Sequence, residues 1–218
     1  MTLFDPAEIA ARVHAADHWP TNGHLIEAVA ALDLLRPEWL TLDATYGEGL
    51  WWTRCQPDRL VTVDIDKTAD VRADYRTLPF PTNLFDATIF DPPYVCKGGR
   101  TTSGIVEMDG RYGLNDAPRT PPELQAANHD GLDECIRVTK PGGMVLVKYQ
   151  NQVSSGHTWA GAHLIFAHAV SVGLELVQEF VHVHPPGPQP HGRTQRHAAN
   201  NYSLLLVLQK VPTLKKPA

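Results

Sequence analysis

Long apolar runs are missing from this chain. No stretch of its 218 residues approaches the roughly 20 apolar residues of a membrane-spanning helix. The N-terminus also lacks the basic-then-apolar pattern of a secretory signal. Cysteine is scarce: Cys55, Cys96 and Cys135 lie far apart, with no Cys-x-x-Cys pair. That argues against a disulfide scaffold and a thiolate zinc site, and makes a reducing cytoplasm the expected compartment. Repeats and low-complexity linkers are absent, so the chain is expected to form one well-buried α/β domain spanning 1–218. Positive charge is not in excess either. The net charge is −5, which does not announce a nucleic-acid binder. Acid, however, is missing locally: Val183 to Tyr202 holds no Asp or Glu, while His184, His191, Arg193, Arg196 and His197 gather there. No acid or thiol joins those histidines, so no metal site is expected.

What is present begins with Asp91-Pro92-Pro93-Tyr94, directly after the apolar run Ala87-Thr88-Ile89-Phe90. Proline has no N–H and fixes φ near −65°, so the strand must end there. The Asp91 carboxylate and the Pro92 carbonyl are then two acceptors facing one spot, with the Tyr94 ring nearby. Such a site suits a planar group carrying an NH2. Taken singly, the same tetrapeptide could be an ordinary strand-to-loop exit.

Upstream, Leu40-Thr41-Leu42-Asp43 runs into Ala44-Thr45-Tyr46-Gly47-Glu48-Gly49: a strand, an acid, then a turn with two glycines. Glycine lets backbone approach a ligand closely because no Cβ intervenes. A dinucleotide fingerprint needs a third glycine three residues later, and that position is Trp52, which disfavours a pyrophosphate cofactor. Next, Arg59 to Asp66 is a strand ending in acid. Asp64 follows Asp43 by about twenty residues, the spacing at which a second-strand carboxylate meets ribose hydroxyls; Asp66 could cap the element after it. Asp74-Tyr75 pairs an acid with a ring, able to bond an adenine amino group and cover its face, or equally a solvated loop acid beside a core aromatic.

The order of these pieces resembles the S-adenosylmethionine-dependent methyltransferases, and more narrowly the amino-methyltransferases that modify exocyclic nitrogens of nucleic-acid bases. The resemblance continues through Arg137 to Lys148, where a helix end, a Pro141-Gly142-Gly143 turn and a buried strand follow one another, and closes on the strand Asn200 to Leu208. It covers roughly 20 to 210. It implies a Rossmann-like, seven-stranded mixed sheet, mostly parallel with its last strand antiparallel and helices on both faces. The implied cofactor is S-adenosyl-L-methionine, held by Asp43, Thr45, Gly47, Gly49, Asp64, Ile65, Asp74 and Tyr75, with Thr21 and Asn22 at its methionine end. Asp91, Pro92, Pro93 and Tyr94 are the implied catalytic residues.

Along the chain, helices are expected over Phe4–Ala16, Asn22–Leu35, Leu50–Cys55, Pro121–Thr139 and His157–Val172, and strands over Leu174–His182 and Tyr202–Lys210. The stretches 95–119 and 183–200 carry no confident secondary structure and are longer than typical connections. They are expected to form the target-recognition surface, with Lys97, Arg100, Arg111, Arg193 and Arg196 contacting phosphate; solvated loop charge is the plainer alternative. The expected target is adenine N6 in DNA, followed by an RNA base (adenine N6 or guanine N2), then protein glutamine, then a cofactor-binding module without catalysis. With only those loops to read sequence, a homodimer or a recognition partner is a further expectation.

Overall fold

The computed structural model describes residues 18–65, 68–96, 118–183 and 201–212. The expected helix Phe4–Ala16 and the cationic residues Lys97, Arg100, Arg111, Arg193 and Arg196 lie outside these, as do Asp66 and most of both long loops.

Nine strands and three α-helices are described: β1 (Leu40–Asp43), β2 (Arg59–Asp64), β3 (Val71–Arg72), β4 (Phe85–Phe90), β5 (Thr139–Tyr149), β6 (Gln152–Ser154), β7 (His157–Trp159), β8 (Leu174–Val183) and β9 (Tyr202–Lys210), with α1 (Asn22–Ala31), α2 (Pro121–Val138) and α3 (Gly161–Ser171). Seven strands form one sheet in the order β3-β2-β1-β4-β5-β9-β8. Strands β3 to β5 are parallel, and β9 runs antiparallel to both β5 and β8. This is the expected Rossmann-like mixed sheet.

Side chains alternate along each strand, and the period sorts the core into two layers. Val145, Val147 and Tyr149 of β5 and Leu206 and Leu208 of β9 meet Leu132, Cys135 and Ile165 of α2 and α3. On the other face Ile89, Leu146, Leu205 and Val207 meet Leu25, Ile26 and Val29 of α1. Burial on this scale supplies the main driving force for the fold, at roughly 25 cal/mol per Å² of apolar surface.

The helix ends follow from capping chemistry. Thr21 caps α1 by accepting the His24 N–H, and Thr120 caps α2 by accepting that of Glu123, with Pro at the first helical turn. The Lys210 ammonium donates to the carbonyls of Ile136 and Thr139, where α2 runs out of internal acceptors.

Four sequence expectations need correction. The expected helix His157–Val172 starts only at Gly161, because His157–Trp159 pairs with Gln152–Ser154 as a hairpin. Ser155 and Gly156 both have positive φ (51° and 78°), the geometry of a two-residue hairpin turn, and Asn151 then caps α3 by accepting the Ala162 N–H. The segment after the glycine loop is one 3-10 turn, Leu50–Trp52, and α1 ends at Ala31. Pro141-Gly142-Gly143 lies inside β5, where the register against β4 jumps from Thr139 to Met144. Gly142 takes φ 82°, and the extra residues form a bulge.

Candidate active site

Strands β1 and β4 are parallel neighbours, with Asp43 opposite Ile89. Their following loops therefore leave the same carboxyl edge, where the connections diverge to opposite ends of the sheet. Open α/β sheets bind ligands at such a switch point. A cleft of about 220 Å³ lies there, between Thr45–Glu48 and Leu50 on one side and Asp91–Val95 on the other, with Asn22 and Trp51 completing its wall.

The first wall depends on left-handed backbone. Gly47 and Gly49 take φ 56° and 69°, and a Cβ on Gly49 would stand 2.7 Å from the Tyr46 hydroxyl. Gly47 donates its N–H to Asp64 Oδ2 at 2.8 Å, which ties the end of β2 to the loop. Ile65, next to it, is exposed.

Asp43 is fully buried beneath this loop. It accepts the Thr45 N–H (3.1 Å) and the Trp52 Nε1–H (2.8 Å). Burial pushes its carboxyl up to about 7; the two donors oppose that shift, and the nearby Asp91 and Asp64 charges add to it. The residue that breaks the dinucleotide pattern, Trp52, thus supplies the indole that braces the strand-end acid.

The second wall carries the acid of the tetrapeptide. The Asp91 N–H donates to Thr45 Oγ1 at 2.8 Å, joining the two loops. Its Oδ2 accepts from Asn22 Nδ2 and from Lys148 Nζ, each at 3.3 Å. Lys148 is 3% exposed and lies 5.8 Å from the Trp51 ring centroid. Asn128, fully buried on α2, donates to the Pro93 carbonyl (2.8 Å) and the Tyr149 hydroxyl (2.7 Å) and accepts from the Tyr75 hydroxyl (3.0 Å). The Tyr94 and Tyr149 rings sit 6.1 Å apart. Asn128 therefore holds the proline loop from behind, while Asp91, Pro92 and Tyr94 face the cleft.

The structure brings together Asn22, Thr45, Gly47, Asp91, Pro92, Pro93 and Tyr94 at the cleft, with Asp64 one hydrogen bond away. Other expected residues stand back from it. Asp43 serves the loop as described. The Asp74 carboxylate is gripped by the Arg76 guanidinium (2.5 to 3.0 Å), which holds it below the usual range. Tyr75 points inward, edge-on to Phe90, and Thr21 caps α1.

Sequence reasoning did not single out Lys148 or Asn128. A lysine inside Val145-Leu146-Val147-Lys148-Tyr149 is itself a signal, since buried lysine is rare unless paired. Asn128 was visible as a polar residue on the buried face set by Leu124, Gly131 and Cys135.

Asn22, a residue of the cleft wall, has unmet hydrogen-bonding capacity. Asn22 Oδ1 is buried with no partner, a costly condition that a ligand amine would relieve. A positive-φ glycine loop tied to the strand-end acid Asp64, with an orphan acceptor on Asn22, fits a cationic amino-acid–nucleoside ligand.

No protein-family model and no curated protein matches the chain by sequence. Solved structures do match it by fold. TrmN from Thermus thermophilus aligns with a TM-score of 0.51 at 20% identity over 86% of this chain, which spans about half (48%) of that protein's length. The 4+2 cyclase SpnF gives 0.54 at 15% identity, covering 94% of this chain and 93% of its own. A predicted rRNA methylase from Clostridium thermocellum gives 0.51 at 11% identity, covering 88% and 98%. One of these is named for methylation and another for cyclisation, so the shared architecture does not by itself fix a reaction. What the likeness shows is that this chain has the Rossmann-like α/β fold of that structural group.

Proposed function

We propose that this chain is an S-adenosylmethionine-dependent methyltransferase acting on an exocyclic amine of a nucleic-acid base, with adenine N6 in DNA as its first target. The observation that carries this reading is the Asp91-Pro92-Pro93-Tyr94 loop, whose acid and first proline face a cleft shared with the glycine loop. S-adenosylmethionine, when bound, supplies an electrophilic methyl group. In this reading the glycine loop and Asp64 hold the nucleoside part, Ile65 covers the adenine ring, and the Asn22 carbonyl oxygen accepts from the methionine ammonium.

The remaining work falls to the protein. An exocyclic amine is a poor nucleophile because its lone pair is delocalised into the ring. Asp91 and the Pro92 carbonyl would accept its two N–H groups and favour a pyramidal nitrogen, while Tyr94 would stack on the base. Positioning of this kind contributes several kcal/mol. A base in a duplex must first be flipped out, at a cost of a few kcal/mol that is least for single strands. An RNA base is the second target, since a protein of the same fold is named for rRNA methylation.

Two substitutions separate the roles. Asp91→Ala should lower methyl transfer by about 10²–10³-fold while leaving cofactor affinity, measured by calorimetry, nearly intact. Asp64→Ala should do the reverse and weaken cofactor binding first. Equal loss of both properties in Asp91→Ala, or undiminished cofactor affinity in Asp64→Ala, would remove that residue from its assigned place.

A further inference from the structure

Lys148 has no part in the chemistry described so far, yet it is the most unusual side chain near the cleft. It follows Met144 and Leu146 on the α1 face of β5, a row otherwise filled by apolar side chains. It is 3% exposed and is not among the residues lining the cleft. Desolvating an ammonium is costly, and a well-packed apolar side chain in its place is often neutral or even stabilising. Stability alone therefore gives no reason for a lysine here.

Its contacts suggest a reason. Lys148 Nζ reaches Asp91 Oδ2, the same oxygen that Asn22 Nδ2 reaches. Asp91 Oδ1 receives neither donor. The backbone of Asp91 is fixed separately by Thr45 Oγ1. One carboxylate oxygen is anchored by two donors, on a residue that lines the cleft.

The electrostatic surroundings sharpen the point. Asp43 at the end of β1 lies close enough to Asp91, and to Asp64 at the end of β2, for their charges to act on it. Glu48 and Tyr46 of the glycine loop, and Tyr94 of its own loop, line the same cleft, and α1 contributes only the uncharged Asn22. Among the described residues, Lys148 is the cation bonded to Asp91.

Resting on the methyltransferase reading above, we infer that Lys148 is a positioning residue: its buried ammonium supplies the countercharge of Asp91 and pins Oδ2, so that Oδ1 stays turned toward the amine to be methylated.

The test combines melting temperatures with single-turnover transfer rates. Lys148→Met should melt well below the wild type, because it leaves a carboxylate without its countercharge, and the double variant Asp91→Asn with Lys148→Met should recover most of that loss. In single-turnover transfer to an adenine-containing oligonucleotide, Lys148→Met should lower the rate at saturating oligonucleotide by about 10–10²-fold while leaving cofactor affinity, measured by calorimetry, nearly intact. Lys148→Arg should keep most of the wild-type rate. A Lys148→Met rate equal to wild type at saturation, or a rate and a cofactor affinity that fall together, would overturn the inference and leave Lys148 a packing residue. Melting temperatures that simply add in the double variant would overturn it too. If Lys148→Met does not fold, recovery of folding in the double variant supports the pairing, and failure of both contradicts it. Absence of any methylated base with the wild type would overturn the methyltransferase reading, and the melting cycle would still decide the Lys148–Asp91 coupling.

Discussion

Asp43 and Asp91 invite comparison, because each is an acid at the carboxyl end of one of two adjacent parallel strands. Asp43 is sealed beneath the glycine loop and satisfied by two neutral donors, the Thr45 N–H and the Trp52 indole. Asp91 faces the cleft and is satisfied by a cation and an amide. The first arrangement pushes its carboxyl up to about 7 and serves the loop's shape. The second keeps an acceptor open beside a ligand-sized space. Equivalent positions in the fold thus acquire different chemistry from their partners, which are local for Asp43 and distant in sequence for Asp91.

The support behind each acid can be broken separately. The largest effect is expected on the Asp91 side. Asn128→Ala would leave the Pro93 carbonyl and the Tyr75 and Tyr149 hydroxyls without their buried partner, at about 2–4 kcal/mol of stability by urea denaturation. Transfer activity should fall with it, since the tetrapeptide loses its anchor; unchanged stability would mean that water replaces the amide.

On the Asp43 side, Trp52→Phe keeps the ring but removes the indole donor. About 1–3 kcal/mol should be lost, with weaker cofactor binding as the glycine loop relaxes. Stability within experimental error of wild type would show that the brace is dispensable.

A subtler effect concerns pH. The folded protein holds the Asp43 proton up to about pH 7, whereas the unfolded chain releases it near pH 3.8. Stability from this group is therefore full at the acid end and is lost as pH rises through about 7. Asp43→Asn cannot titrate, so the variant should gain on the wild type between about pH 4 and 7 in urea midpoints. Parallel curves for the two proteins would contradict the assignment.

The smallest effect should come from Gly49→Ala. Its φ of 69° costs a non-glycine residue roughly 1–2 kcal/mol, and the added methyl would press on the Tyr46 hydroxyl.

Much of this arrangement was legible in the sequence, for local reasons. The proline pair ends β4 whatever surrounds it, the glycine turn after Asp43 declares left-handed backbone, and the apolar run from Tyr202 to Lys210 marks a buried strand. The hairpin 152–159 was not legible. Its strands are only three residues each, too short for a period, and helical spacing from His157 onward masked the Ser155-Gly156 turn. Lys148 was visible but its partner was not, because 57 residues separate it from Asp91 and only the β4–β5 register brings them together. Asp43 shows the same limit from the other side: nothing local distinguishes a brace from a ligand contact until Trp52 is seen to turn back on it.

The most direct measurement is nucleoside mass spectrometry on DNA and total RNA after incubation with the purified protein and S-adenosylmethionine, with the Asp91→Ala variant alongside. The account predicts N6-methyladenine in the DNA with the wild type and none with the variant. Methylation confined to RNA would keep the site and change the target. No methylated base in either pool, or the same base formed by both proteins, would contradict the account.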